Sequence, residues 1–154
     1  MIVTFTTRMP IAETMQFEAT YEPSLQMDLE EKSSLVAESL AAWMFVDGVL
    51  AGEIYGAQPA LLNDTIPDTP KSDPRMIYCY STTLLPAFRR RGLSKILVAY
   101  WNGLARGAGF TKVDGHATSP AMVAVRAFFG ARFGPVHPNW YETNRTAHYY
   151  ECDL

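Results

Sequence analysis

Residues 84–98 read LLPAFRRRGLSKILV, and the order of residue types in this stretch decides how the rest of the chain is read. An apolar segment ending Leu84-Leu85-Pro86 runs into Arg89-Arg90-Arg91, then Gly92-Leu93-Ser94, then an apolar run. Leu93, Leu97, Tyr100, Trp101, Leu104 and Ala108 recur at steps of three or four and fall on one stripe of a helix, with Gly107 and Gly109 as its stop. The stretch is therefore a strand, a tight basic turn and a helix whose first amides lack intrahelical acceptors. Such a terminus attracts anions through its N–H groups and helix dipole, and glycine lets the backbone come close. Arginines add charge-assisted bonds suited to phosphate oxygens. The chemistry points to a pyrophosphate site; the bland alternative is an exposed basic turn without a ligand.

Charge makes the basic cluster local. The 13 Lys and Arg against 16 Asp and Glu give a net charge of -3, which argues against general nucleic-acid affinity. No aromatic platform for base stacking accompanies the arginines. The 154 residues fit a single domain spanning 1–154 and suffice to bury roughly 70% of the unfolded surface. The N-terminal MIVTFTTRMPIAETM has no sustained apolar region and no window has the length of a membrane span, so a cytoplasmic protein is expected. Cys79 and Cys152 lack zinc or redox spacing and read as small buried hydrophobes.

Outward from the central stretch, IVTF near the N-terminus is a strand candidate, followed by helical spacing around 13–19 and 25–40. Trp43–Val46 and Val49–Tyr55 flank Asp47-Gly48, a dipeptide suited to a two-residue type I′ hairpin turn. From Gly56 to Arg75 four prolines prevent any long regular element, so this loop is a functional cover or a disordered insertion. Met76–Leu85 and Phe110–Ala117 read as parallel strands joined through the helix. Ser119-Pro120 starts a second helix running to about Phe129, and strands near 132–136 and 146–154 close the chain. Trp43, Phe45, Trp101 and Phe133 are expected in the core.

The hexapeptide Arg89-Arg90-Arg91-Gly92-Leu93-Ser94 resembles the Arg/Gln-x-x-Gly-x-Gly/Ala signature of the GNAT superfamily of N-acetyltransferases, and the element order across nearly the whole chain is similar to that family's. The resemblance implies an α/β (α+β) GNAT fold: a mixed, mostly antiparallel central sheet with a splayed parallel strand pair and flanking helices. It implies acetyl-CoA as co-substrate, with the backbone of Leu84 and Leu85 bonding the pantetheine arm as an added strand would. Arg89 fills the first basic position, and amides from Arg90, Arg91, Gly92, Leu93, Ser94 and Lys95 would hold the pyrophosphate. In the family's strand order the two cysteines lie roughly 10 Å apart on strand spacing, beyond the reach of a disulfide.

Two departures stand out. Ser94 replaces the usual second small residue but remains small. Where many members carry a tyrosine that protonates the leaving thiolate, this chain has Phe128 or Phe129, which cannot donate a proton.

Acetyl transfer to an amine needs a proton acceptor and a donor for the developing oxyanion; a backbone N–H near Leu84 or Leu85 suits the second role. Family members often place a glutamate where ungapped counting puts Tyr78, which can position substrate or donate a proton. Glu53 interrupts an otherwise apolar face and is a candidate base, unless it occupies a rim facing water. His116 ends the fifth strand with a pKa suited to proton transfer, or is a hydrogen-bonded structural residue. His137 and His148 show no metal spacing with each other or with His116, so no metal is expected. Tyr141, Tyr149 and Tyr150 are assigned no catalytic role.

The sequence is thus read as an acetyl-CoA-dependent N-acetyltransferase acting by direct attack in a ternary complex, against a catalytically degenerate GNAT-fold binding or structural protein. Asp64, Asp68 and Asp73 in the long loop mildly favour a cationic acceptor, with no nucleic-acid or membrane partner. A homodimer through the last strands is open, as such folds can pair there.

Overall fold

The computed structural model of the chain describes residues 1–63 and 65–154. Strand β1 (Val3–Thr6) leads to a short helix α1 (Ile11–Thr14) and 3-10 turns over 15–20 and 23–25. The early helical spacing is thus realised in pieces, as α1, these 3-10 turns and the helix that follows. Helix α2 (Leu29–Ala37) starts with a reciprocal cap, in which Asp28 accepts from the Glu31 N–H and Glu31 accepts from the Asp28 N–H, both at 2.9 Å.

Strands β2 (Leu40–Val46) and β3 (Val49–Ala57) form the hairpin that Asp47-Gly48 predicts. Both turn residues have positive φ, 50° and 81°, as a type I′ turn requires. Strand β4 (Met76–Leu84) precedes helix α3 (Leu93–Gly107), which closes at Gly109 (φ 92°) with the Phe110 N–H bonded to the Ala105 carbonyl at 3.1 Å. Strand β5 (Lys112–Ala117) is followed by helix α4 (Pro120–Phe128), where Ser119 Oγ accepts from the Met122 N–H at 3.2 Å. Strands β6 (Arg132–His137) and β7 (Ala147–Asp153) end the chain.

The strand order is β1-β2-β3-β4-β5-β7-β6, mostly antiparallel, with β4 and β5 as the parallel pair. That pairing runs from Met76↔Lys112 to Cys79↔Gly115, and β4 then continues to Leu84. The chain divides into two compact units, one comprising 1–56 and 81–101, the other 57–80 and 102–154.

In the first unit Trp43, Met44, Ile54, Leu93, Leu97 and Trp101 are fully buried, and Trp101 Nε1 donates to the Leu40 carbonyl at 2.9 Å. Gly52 leaves room for Leu84 and Leu97: a Cβ there would lie 2.7 Å from Leu84 Cδ2. In the second unit Ile77, Val113, Tyr150 and Cys152 are buried together with Arg126, whose guanidinium lies 4.8 Å over the Tyr150 ring and reaches Cys79 Sγ at 3.2 Å. Cys79 and Cys152 are not joined in a disulfide, and β5 separates their strands.

Two core expectations need correction. Phe45 is half-buried. Phe133 is 42% exposed because β6 is the outermost strand and its residues 132–136 face solvent. Its pairing with β7 shifts between Phe133 and Val136, around Pro135. Among the described residues no helix is long and apolar enough to cross a membrane.

Candidate functional site

Three local arrangements hold the residues singled out by sequence. The first is the turn from β4 into α3, in the first unit. After a 3-10 turn over Pro86–Phe88, Arg90 (φ 61°) and Gly92 (φ 75°) are both left-handed, while Arg91 between them is not. Such alternation turns successive amides toward one side and makes an anion-binding concavity. A left-handed arginine costs about 1–2 kcal/mol. Arg90 and Arg91 are exposed, and Arg91 lies 5.9 Å over the Phe88 ring.

The turn is braced from within, which narrows the set of contacts expected for a cofactor. Arg89 Nε donates to the Leu84 carbonyl at 3.0 Å, so Arg89 ties the turn back to the strand it follows. The Leu85 N–H already donates to the Ala51 carbonyl at 2.9 Å and is not the oxyanion donor. Since successive strand residues point their N–H groups to opposite sides, the Leu84 N–H faces away from β3. The Lys95 N–H is engaged by the Gly92 carbonyl at 3.2 Å, leaving Arg90 through Ser94 as the amides available for the cradle. This cradle at the start of a 15-residue helix fits a diphosphate.

The second arrangement surrounds Glu53. Its side chain is fully buried, not on a rim. Lys32 Nζ lies 2.9 Å from each carboxylate oxygen and 3.0 Å from Glu18 Oε1. Trp43 Nε1 donates to Glu53 Oε2 at 3.2 Å, and Thr14 Oγ1 to the same oxygen at 3.3 Å. Burial pushes the Glu53 carboxyl above its ordinary range, against the opposing pull of Lys32. Burial is the main cause of that direction, and the second buried carboxylate, Glu18, which shares the same ammonium, adds to it in a minor way.

A chain of hydroxyls leads away from Glu53. Tyr21 donates to Glu53 Oε1 at 3.4 Å and contacts Ser81 Oγ at 2.6 Å and Thr83 Oγ1 at 2.8 Å. Burial first, and then the nearby Glu53 charge, hold the Tyr21 phenol well above its ordinary value, so it stays protonated. Ser81 and Thr83 are half-buried on the part of β4 that ends at Leu84.

The third arrangement belongs to the second unit. His116 Nδ1 faces the Tyr78 hydroxyl at 2.8 Å and its Nε2 faces Asp68 Oδ2 at 2.9 Å; His137 Nε2 reaches the same oxygen at 2.6 Å. Trp140 stacks on the His116 ring at 4.3 Å. Burial lowers the His116 pKa, while Asp68 works in the opposite direction. Burial raises the Tyr78 phenol far above its usual value. Tyr149 donates to Asp114 Oδ2 at 2.8 Å, and Tyr141 to the Thr65 carbonyl at 3.2 Å.

Sequence reasoning named Glu53, Tyr78 and His116 but missed Lys32, Glu18, Tyr21 and Trp140, and it saw no metal spacing between His137 and His116, whose Nε2 atoms share Asp68 Oδ2. His148, in β7, stays outside these contacts. The acidic loop residues are already partnered: Asp68 as above, and Asp73 by the Arg75 N–H at 2.9 Å. Asp64 lies outside the described residues. Phe128 is 64% exposed and packs edge-on against Phe129 at 5.2 Å.

No family model matches the sequence, and no curated protein sequence does either. Solved structures do resemble it. YncA from Salmonella typhimurium, solved with its cofactor acetyl-CoA, superposes with a TM-score of 0.79 at 11% identity, covering 100% of this chain and 95% of that one. An IAA acetyltransferase from Bacillus cereus gives 0.74 at 14% identity, over 99% of this chain and 100% of that one. An acetyltransferase of the GNAT family from Streptococcus pneumoniae gives 0.74 at 12% identity, over 99% of each chain. With the strand order and the parallel β4–β5 pair, these likenesses establish that the chain has the GNAT acetyltransferase fold.

Proposed function

We propose that this protein is an acetyl-CoA-dependent N-acetyltransferase that passes an acetyl group to a primary amine by direct attack in a ternary complex. The observation that carries the reading is the braced turn at the start of α3, with Arg90 and Gly92 left-handed on either side of Arg91. When bound, acetyl-CoA supplies the activated acetyl thioester. The amides of Arg90 through Ser94 and the side chains of Arg90 and Arg91 hold its diphosphate. Arg89 acts as a positioning residue through the Leu84 carbonyl. The Leu84 N–H, aimed away from β3, stabilises developing negative charge on the acetyl oxygen.

The proton of the attacking ammonium leaves through Ser81 or Thr83 and Tyr21 to Glu53. A carboxylate raised by burial is a better acceptor near neutral pH than an ordinary glutamate. His116 is the weaker base, because both ring nitrogens are engaged and its side chain is 1% exposed. Tyr78 is committed to His116 and serves position rather than acid catalysis.

The test has two stages. Acetyl-CoA should raise the melting temperature, since a ligand that binds only the folded chain stabilises it. Thiol release is then followed with a panel of primary amines, cationic ones included. No shift with acetyl-CoA overturns the reading; a shift without thiol release from any amine identifies a binding protein that has kept the fold, a reading to which Phe128 and Phe129 lend support.

A further inference from the structure

The histidine and aspartate cluster of the second unit is not used by the proposed acetyl transfer, and its geometry has a different chemistry. Asp68 comes from the loop between β3 and β4, His116 from β5 and His137 from the end of β6. Their three ligand atoms, Asp68 Oδ2 and the two Nε2 atoms, all lie within 4.8 Å of one another. Both imidazoles aim Nε2 at a single carboxylate oxygen, at 2.9 and 2.6 Å. Those are hydrogen-bond separations; tetrahedral zinc, with bonds of about 2.0–2.2 Å, places its ligand atoms about 3.3 Å apart. Lengthening the two Asp68 contacts by roughly half an ångström and drawing the two Nε2 atoms, at most 4.8 Å apart, toward each other converts one arrangement into the other.

We propose that Asp68, His116 and His137 bind a divalent transition-metal ion, with zinc as the reference case. Two imidazoles and one carboxylate form a donor set that suits zinc, cobalt or iron and disfavours magnesium or calcium, which prefer all-oxygen shells. The surroundings of His116 are those of a metal-bearing ring. Its other nitrogen, Nδ1, lies 2.8 Å from the Tyr78 hydroxyl, whose oxygen can accept a hydrogen bond from Nδ1–H and fix the tautomer that leaves Nε2 free to ligate. Trp140 stacks on one face of the ring, and Tyr149 packs at 5.2 Å. Access is one-sided: the His116 side chain is 1% exposed, Asp68 16% and His137 32%. Three protein ligands therefore leave a coordination position on the His137 side for water or a substrate atom. The ion would also clip the loop between β3 and β4 to strands β5 and β6.

The test uses the untagged full-length chain, stripped with a chelator and dialysed. Calorimetric titration with Zn2+ alone should give one site per chain, with Co2+ developing the visible bands of low-coordinate cobalt. Saturating Zn2+ should raise the melting temperature by about 5 °C or more. His137→Ala and Asp68→Asn, both at partly exposed side chains, should weaken Zn2+ binding at least tenfold while keeping a native circular dichroism spectrum. If either variant unfolds, the other decides. Absence of a stoichiometric site in the wild-type chain, retention of full affinity in the folded variants, or equal binding of Mg2+ would each overturn the proposal. None of these readouts depends on acetyl transfer.

Discussion

The Lys32 ammonium sits 2.9 Å from each carboxylate oxygen of Glu53, and both side chains are fully buried. The pair is the anchor of the first unit's polar interior, because Glu18 shares the same ammonium at 3.0 Å. Replacing Lys32 by methionine preserves most of the stem but leaves two buried carboxylates without a cation. The expected cost is about 3–5 kcal/mol, the range for breaking a buried ion pair from one side. Urea unfolding of Lys32→Met measures it; a loss under about 1 kcal/mol would show that the carboxylates find other compensation.

The same cluster makes stability depend on pH. Burial raises the Glu53 pKa above its ordinary range despite Lys32, with Glu18, Tyr21 and Tyr55 facing the group as well. The folded chain therefore holds this proton more tightly than the unfolded chain. The associated stabilisation is complete below the unfolded pKa and declines as pH rises through the folded value. Glu53→Gln should accordingly flatten unfolding free energy against pH above the ordinary glutamate range relative to the wild type. An identical slope in both proteins would assign the dependence to other groups.

Tyr21→Phe removes one hydroxyl and keeps the ring. Its contacts to Ser81, Thr83 and Glu53 are lost together. On the proposed proton path, kcat for thiol release should fall about 10–100-fold, in the range of general-base contributions, while acetyl-CoA affinity stays unchanged. Unaltered kcat would remove Tyr21 and Glu53 from the proton path.

Arg90 and Arg91 are exposed at the start of α3, so their joint replacement by alanine should leave the fold intact. Loss of two charge-assisted contacts predicts acetyl-CoA binding weaker by about 10–100-fold, with a smaller dependence on salt. Arg89→Ala should act differently, because it unties the turn from the Leu84 carbonyl.

Gly115 is fixed by space. A Cβ there would lie 2.6 Å from the Tyr150 hydroxyl and 3.0 Å from the Cys79 backbone oxygen. Since the carbonyl cannot move without disturbing the β4–β5 pairing, Gly115→Ala should cost about 1–3 kcal/mol by overpacking. Thermal unfolding reads the loss, which corresponds to a drop of roughly 2–12 °C.

The parts of this molecule written in local sequence were legible, and the parts assembled across long separations were not. Asp47-Gly48, Ser119-Pro120 and the Arg89–Gly92 turn carry their geometry in adjacent residues, and each adopts the expected conformation. Lys32 in a helix of nine residues reads as solvent-facing; only tertiary packing turns it toward Glu53, 21 positions away. His137 meets Asp68 across 69 positions and His116 meets it across 48, so no motif spacing could announce them. Phe133 failed for a related reason: apolar composition does not reveal which strand ends up outermost.

Strand β6 carries its own safeguard in that outermost place. Pro135 offers no amide hydrogen, and the register with β7 shifts around it, so a foreign extended segment meets an irregular strand rather than a uniform one. Two copies joining rim to rim would face the same gap, and concentrated solutions of the protein should resist fibre growth from this margin.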